Sequence, residues 1–173
     1  MISAMVLAAA TVLSGGPHRQ VACEGPDIDP FVTVLRDRVV NFDGMAGYAT
    51  DTFGAPLECE GAVTSEFDGA KYGTVRLSYA GGVVFELETM PPEISVVALR
   101  APDGFEDEAA ARSLLREYAI GRGANPDWDD PETTTEDGER IERYWDPEPG
   151  LNASASYVFR GDVLVALRFS MAP

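Results

Sequence analysis

Acidic side chains are concentrated in one stretch of the chain, where they could attract a cation or a basic protein. Residues 101–150 contain 15 Asp or Glu against 5 Arg. The densest part of this stretch contains Asp127, Asp129, Asp130, Glu132, Glu136 and Asp137. Calcium binds several oxygens from one flexible loop, but this segment lacks the alternating Asp or Asn positions, the Gly and the closing Glu of an EF-hand. A basic protein partner is therefore the first hypothesis for this segment, and calcium is the alternative.

Aromatic and arginine side chains lie close to these carboxylates in the sequence. Trp128 is within the acidic stretch, and Arg143, Tyr144 and Trp145 follow shortly after it. Trp, Tyr and Arg are enriched at binding hot spots, although Trp also packs readily into a core. The sequence predicts a partner-binding surface made of Asp127, Trp128, Asp129, Asp130, Glu132, Arg143, Tyr144 and Trp145.

The residue types that most catalytic sites need are scarce. His18 is the only histidine and precedes the expected mature chain, and Lys71 stands in a polar turn. A Ser or Cys nucleophile therefore lacks a base, zinc lacks ligands, and no G-x-G-x-x-G or G-K-[ST] motif is present for a nucleotide. Glu86 and Glu88 share one face of a predicted strand, which is more typical of solvated side chains than of acid–base catalysis. We expect a non-enzymatic protein without a cofactor or a metal, with a carboxylate-dependent or calcium-dependent enzyme as an alternative.

The N-terminal residues have the character of an export signal. Residues 2–13 form an apolar run of the length expected for the hydrophobic region of a signal peptide, too short to span a bilayer. A small, helix-breaking Ser-Gly-Gly-Pro sequence follows this run. We predict a signal peptide or leader over residues 1–22 and a periplasmic or secreted protein without a membrane span. The alternative is an alanine-rich core helix.

The two cysteines, Cys23 and Cys59, most simply form one disulfide in an exported chain. The alternative is a lipid anchor on Cys23, because Val21-Ala22-Cys23 ends like a lipobox. Gln20 stands where that motif has Leu, and lipidation would leave Cys59 unpaired. The disulfide is therefore the prediction, and an envelope lipoprotein or assembly accessory is the alternative function.

The overall charge excludes two further classes of partner. The chain has 13 basic and 29 acidic residues, which gives a formal net charge of −16. Nucleic acids and anionic lipids are bound through Lys and Arg, so neither is an expected partner. A cationic protein is the better match to this charge, and the alternative is that the acidity serves only the solubility of the protein.

Hydrophobic periodicity predicts a helix and then a meander in the first half of the chain. Apolar residues from Phe31 to Phe42 recur at helical spacing, and residues 44–54 could add a short helical turn. Strict alternation then predicts a hairpin of residues 74–79 with residues 83–89, followed by a strand over residues 94–100.

The second half repeats this order. A helix is predicted over residues 109–120, with Gly121-Arg-Gly123 as its C-cap, and an acidic loop over residues 125–139. A strand is predicted over residues 140–145. A hairpin of residues 153–160 with residues 163–171 follows, and its last strand places Val163, Val165, Leu167, Phe169 and Met171 on one face.

The expected fold is α+β, with antiparallel sheet packed against two helices and residues 23–102 and 103–173 as two α-β units of one globule. Two alternatives remain open, a tandem duplication of a helix-then-meander unit and one continuous sheet. This layout is similar to that of small exported inhibitor and envelope-accessory proteins such as the β-lactamase inhibitor protein. None of that family's sequence signatures is present, so no functional residue is carried over. The expected function is an exported acidic binding protein of inhibitor or immunity type.

Overall fold

The computed structural model describes residues 29–67, 69–90, 94–150 and 152–172. The predicted leader over residues 1–22 and Cys23 lie outside the described residues. The signal peptide, the Cys23–Cys59 disulfide and the lipid anchor therefore stay predictions. In the described part of the chain, no helix has the length and apolar character needed to cross a membrane.

Two consecutive helices begin the described chain, and an aspartate caps each of them. Helix α1 spans Pro30–Phe42, and Asp29 Oδ1 accepts an N–H of its first turn at 2.8 Å. Helix α2 spans Gly44–Phe53, and Asp43 Oδ1 accepts two N–H groups of its first turn at 2.9 and 3.2 Å. The first helix is as predicted, and the second helical region is a ten-residue helix rather than a short turn.

A four-stranded meander follows the two helices, and each strand pairs antiparallel with the next. Its strands are β1 (Glu58–Phe67), β2 (Ala70–Ser78), β3 (Val84–Met90) and β4 (Ile94–Arg100). The predicted hairpin is confirmed, since Leu77 of β2 stands opposite Phe85 of β3. The sequence does not predict β1, because this exposed edge strand is rich in Glu, Gly, Ser and Thr and shows no apolar alternation.

The second half consists of one helix and a second meander. Helix α3 spans Glu108–Gly121, and Asp107 caps it by accepting the N–H of Ala110 at 2.9 Å. The strands are β5 (Glu132–Glu136), β6 (Glu139–Trp145), β7 (Asn152–Arg160) and β8 (Val163–Ala172). The predicted antiparallel hairpin of β7 and β8 is confirmed. The expected acidic loop over residues 125–139 is partly wrong, because β5 lies within it.

The eight strands of the described residues form one antiparallel sheet in the order β1-β2-β3-β4-β8-β7-β6-β5. The two meanders join through their last strands, with Ala98 of β4 opposite Arg168 of β8. The described residues contain three α-helices where two were expected, and these helices pack against strands of both meanders. The fold is therefore α+β, as predicted, with a single large sheet.

The sheet has one helix-covered face and one face on which no described helix packs. Phe85, Leu99 and Leu167 have no exposed surface and lie between the sheet and the helices. On the opposite face, which we call the helix-free face, a row of directly paired residues crosses all eight strands. This row is Glu60, Arg76, Glu86, Ala98, Arg168, Ser156, Arg143 and Glu132.

A bulge changes the register at the start of β8. The pairing of β7 with β8 shifts after Val158, so Leu164 joins the main core and Val165 packs in a small cluster on the helix-free face. Val163 is 49% exposed. The predicted shared face is therefore wrong for Val163 and Val165 and confirmed from Leu167 onward.

Candidate partner-binding surface

The acidic connection between α3 and β5 is exposed and is anchored to the end of β6. The N–H of Asp127 donates to the carbonyl of Trp145 at 2.9 Å, and the Asp127 carboxylate accepts the N–H of Asp129 at 3.1 Å. Asp146, just after β6, accepts an N–H from the start of the connection at 2.5 Å. These bonds fix the backbone and leave the carboxylates of Asp129 and Asp130 in solvent.

Strand β5 continues the acidic segment along one edge of the sheet. Its neighbour in the strand order is β6, so its outer N–H and C=O groups face no strand in the described chain. Asp137 and Gly138 join the two strands with positive φ angles of 51° and 80°, as a two-residue type I′ turn requires. The exposed carboxylates of this region, which we call the acidic edge, are Asp127, Asp129, Asp130, Glu132, Glu136 and Asp137.

The acidic edge carries uncompensated negative charge. No described residue forms an ion pair with any of its carboxylates. Glu139, at the start of β6, differs because it accepts hydrogen bonds from Arg100, one of them at 3.1 Å, and from Arg160 at 3.0 Å. These two arginines, Arg100 above all, hold the pKa of Glu139 below its usual value. Arg100 and Arg160 are thus committed to Glu139 rather than to the acidic edge.

Trp145 is an exposed aromatic side chain beside the acidic edge. It lies on the helix-free face with 47% of its surface exposed. Its indole N–H donates to Glu132 Oε2 at 2.9 Å, and the guanidinium carbon of Arg143 lies 5.5 Å from the ring centre. These two contacts hold the indole ring in one orientation. The structure therefore brings together Glu132, Arg143 and Trp145, three of the predicted site residues.

The other two predicted aromatics lie on the helix-covered face. Tyr144 is 7% exposed, and its ring centre lies 5.1 Å from that of Trp128 and 5.6 Å from that of Tyr157. The guanidinium carbon of Arg116 on α3 lies 5.1 Å from the Trp128 ring. Burial, followed by the nearby Glu142 carboxylate, raises the pKa of Tyr144. Trp128 and Tyr144 therefore pack α3 against the sheet and are separated from Trp145 by the thickness of the sheet.

Strand alternation explains this separation. Successive side chains on β6 point to opposite faces, so Arg143 and Trp145 share one face and Tyr144 lies on the other. Proximity in the sequence grouped the three residues together. The two-residue period of β6 is the signal that assigns Tyr144 to one face of the sheet and Arg143 and Trp145 to the other.

Three residues outside the predicted surface also come together. The hydroxyl of Tyr118 donates to Asp43 Oδ2 at 2.8 Å, and an Arg122 nitrogen lies 3.3 Å from the same oxygen. Asp43 is separated in the sequence from Tyr118 by 75 positions and from Arg122 by 79 positions. No short-range sequence pattern therefore predicts these contacts. They connect α3 with the junction of α1 and α2.

The described residues contain no group of three or more His, Cys, Asp or Glu side chains arranged to hold a metal ion. The acidic edge is therefore a row of dispersed carboxylates, and its geometry adds nothing to the calcium alternative. Glu86 and Glu88 both lie on the helix-free face of β3, and Glu86 lies 3.8 Å from Arg76 with both side chains half exposed.

Comparison of the chain with protein families, with curated proteins and with solved structures gives no significant match in any of the three.

Proposed function

We propose that this chain is an exported, non-enzymatic binding protein of inhibitor or immunity type that holds a cationic protein partner against the acidic edge and Trp145. The observation that carries the proposal is the set of exposed carboxylates at Asp127, Asp129, Asp130, Glu132, Glu136 and Asp137, none of which has an ion-pair partner among the described residues. Export rests on the N-terminal apolar run and stays part of the proposal.

The acidic edge supplies attraction and orientation. The carboxylates of the acidic edge have no ion-pair partner among the described residues. Arginine and lysine side chains of the partner can therefore bind them without breaking an existing ion pair. Charges at the rim of an interface act mainly on the association rate and on its dependence on salt. The unpaired outer side of β5 adds backbone donors and acceptors, which an extended segment of the partner can use.

Trp145 supplies the apolar part of the interface. A Trp whose orientation is already fixed loses little side-chain entropy on binding, and Trp is among the residues most enriched at hot spots. Its hydrogen bond to Glu132 and its contact with Arg143 hold it next to the charges that attract the partner. Trp128 and Tyr144 have no direct role in this proposal, because they pack beneath α3.

The two halves are also consistent with the duplication hypothesis. Each half runs from helix to four-stranded meander, and the meanders meet through β4 and β8, the last strand of each. The halves differ in their helices, since α1 and α2 precede the first meander and α3 alone precedes the second. We infer that a duplicated unit gave rise to the continuous sheet.

The test uses two variants that remove the same number of charges. The edge variant carries Asp127→Asn, Asp129→Asn, Asp130→Asn and Glu132→Gln. The matched control carries Asp51→Asn, Glu58→Gln, Glu60→Gln and Glu66→Gln, all exposed, with the three glutamates on the opposite edge strand β1 and Asp51 on α2. Each variant is immobilised and used to capture proteins from an envelope extract, and captured partners are purified for kinetic measurement.

We expect the edge variant to slow association with a basic partner at least tenfold and the control to change it less than twofold. Raising salt from about 50 mM to about 500 mM should weaken binding to the wild type, since the Debye length falls from about 14 Å to about 4 Å. An acidic partner, binding that is indifferent to salt, or equal losses in both variants would overturn the proposal.

A further inference from the structure

A cavity of ≈ 550 Å³ lies within the helix layer, far from the helix-free face that carries Trp145. Its volume falls within the range of roughly 300–1,000 Å³ that is usual for small-molecule sites. Leu35 and Val39 of α1 and Leu114 of α3 line its sides, and Leu87 of β3 lines its floor. The cavity therefore has apolar walls contributed by both halves of the chain.

One end of the cavity is formed by a preorganised polar cluster. Asp43 is almost completely buried, with its side chain 3% exposed, and all of its acceptor capacity is in use. Its Oδ1 accepts two N–H groups of α2, and its Oδ2 accepts from Tyr118 and Arg122. Burial and the Asp43 carboxylate raise the pKa of Tyr118, so its hydroxyl stays protonated and donates.

The two arginines at this end retain unused donors. Arg122 makes both of its hydrogen bonds, to Asp43 and to Tyr118, through a single nitrogen. Arg38 of α1 also lines the cavity, and it forms no hydrogen bond or ion pair with a described residue. A guanidinium has five N–H donors in a planar fork that matches a carboxylate. The polar end is thus rich in donors, and its buried carboxylate has no acceptor capacity left.

The mouth of the cavity bears an apolar side chain that is left in water. Phe42, at the end of α1, lines the cavity and is 80% exposed. Glu117 also lines it, and this carboxylate accepts a hydrogen bond from Ser113 at 3.2 Å on the outer side of α3. An apolar ligand that enters between α1 and α3 would cover the Phe42 ring.

We infer that this cavity is a binding site for a small amphipathic monocarboxylate, whose apolar body lies between Leu35, Leu87 and Leu114 and whose carboxylate meets Arg38 and Arg122. The carboxylate supplies acceptors for the N–H groups that the two guanidinium groups leave unused, and the apolar body covers the cavity walls and Phe42. A cationic or uncharged amphiphile of the same length gains only the apolar part of this interaction. The inference does not depend on the acidic edge, which lies in another part of the molecule.

Titration calorimetry of the full chain with decanoate, decylamine and decanol, each below its aggregation concentration, tests the inference. Decanoate should bind with one-to-one stoichiometry and at least tenfold more tightly than the other two. Methyl signals of Leu35, Leu87 and Leu114 should shift during the decanoate titration. Failure of decanoate to bind, or equal affinity for the three amphiphiles, would overturn the inference.

Two arginine-to-methionine variants test whether Arg38 binds the carboxylate of decanoate. Arg38→Met keeps an apolar stem and should weaken decanoate binding at least tenfold with decanol affinity unchanged. The control is Arg168→Met, which removes one arginine from the helix-free face and should change decanoate affinity less than twofold. Arg38 is exposed, so its replacement leaves folding intact, and thermal melting of both variants checks this. Unchanged decanoate affinity in Arg38→Met would contradict the assigned role.

Discussion

The hydroxyl of Tyr118 donates a 2.8 Å hydrogen bond to Asp43 Oδ2, which joins helix α3 of the second half to the junction of α1 and α2 in the first. Asp43 serves two purposes with its two oxygens. Oδ1 caps α2, and Oδ2 receives Tyr118 and Arg122. Because the carboxylate is buried, each partner that it loses leaves part of its acceptor capacity unsatisfied.

The first prediction concerns this junction. Asp43→Ala should lower the free energy of unfolding by about 3 kcal/mol, because it removes a helix cap and a charged hydrogen bond together. Tyr118→Phe should cost about 1–2 kcal/mol, since it removes one donor and keeps the ring. Urea denaturation measures both, with Asp37→Ala on the exposed side of α1 as the control. A loss below about 0.5 kcal/mol for Asp43→Ala would contradict the assigned role.

Most of the inner elements could be predicted from the sequence, because each carries a strong local pattern. Strands β2, β3 and β8 alternate, and α1 has an Asp-Pro start that needs no tertiary information. The edge strands β1 and β5 were missed for a common reason. An edge strand buries little on either face, so Glu, Thr and Ser can fill it without alternation.

The candidate surface was predictable only in part. The acidic segment is visible in composition, and its exposure follows from the cost of burying charge. The aromatic side chains that lie beside the acidic segment depend on how the residues of β6 alternate between the two faces of the sheet. This alternation places Trp145 and Tyr144 on opposite faces. The cavity between α1 and α3 could not be predicted, because its polar end joins Asp43 to Arg122 across 79 positions.

A second prediction concerns the close approach of α1 to β1. A Cβ on Gly61 would lie 2.5 Å from Cγ1 of Val32, which is closer than side chains pack. Gly61→Ala should therefore destabilise the protein by about 1–3 kcal/mol. Adding Val32→Ala should recover part of that loss, so the double variant should be more stable than the sum of the single effects.

Gly47→Ala in α2 is the matched control for the glycine variant. A Cβ there would meet nothing within 4 Å, and alanine favours a helix over glycine by about 1 kcal/mol. Gly47→Ala should leave stability unchanged or raise it. Chemical denaturation of the four variants gives both results, and additivity of Gly61→Ala with Val32→Ala would argue against the contact.

A third prediction concerns the response of stability to acid. The pKa of Glu139 is lowered in the folded protein, chiefly by its hydrogen bonds with Arg100 and then Arg160. A lowered pKa contributes stability above the unfolded pKa of about 4.3, and this contribution is lost as pH falls through the folded value. Glu139→Gln should therefore cost about 1 kcal/mol at neutral pH, a small value because the arginines are partly solvated.

The difference between wild type and Glu139→Gln should vanish once the pH lies below the folded pKa of Glu139. Thermal melting across the acid range measures this convergence. Glu88→Gln, on the same face without an ion pair, should follow the wild-type curve throughout. A constant offset between Glu139→Gln and wild type at all pH values would show that the ion pairs contribute nothing.

The last prediction is the disulfide between Cys23 and Cys59. Cys59 is partly buried against the core on β1, on the same side of the strand as Gly61, where α1 makes its close approach. Cys59 lies two residues from Gly61 along β1, a distance of about 7 Å. The six residues between Cys23 and Pro30 can extend about 20 Å. This segment is therefore long enough for Cys23 to reach Cys59 from the start of α1. Closing the 37-residue loop should contribute about 4 kcal/mol to stability.

Mass spectrometry of the purified exported protein, alkylated after unfolding with and without reductant, checks the bond. We expect no alkylation without reductant and two alkyl groups after reduction. Reduction of the wild type and the Cys59→Ser substitution should lower the free energy of unfolding equally, because each opens the same loop. Two thiols that react in the unfolded, unreduced protein would rule out the disulfide, and an added lipid mass on Cys23 would identify the anchor instead.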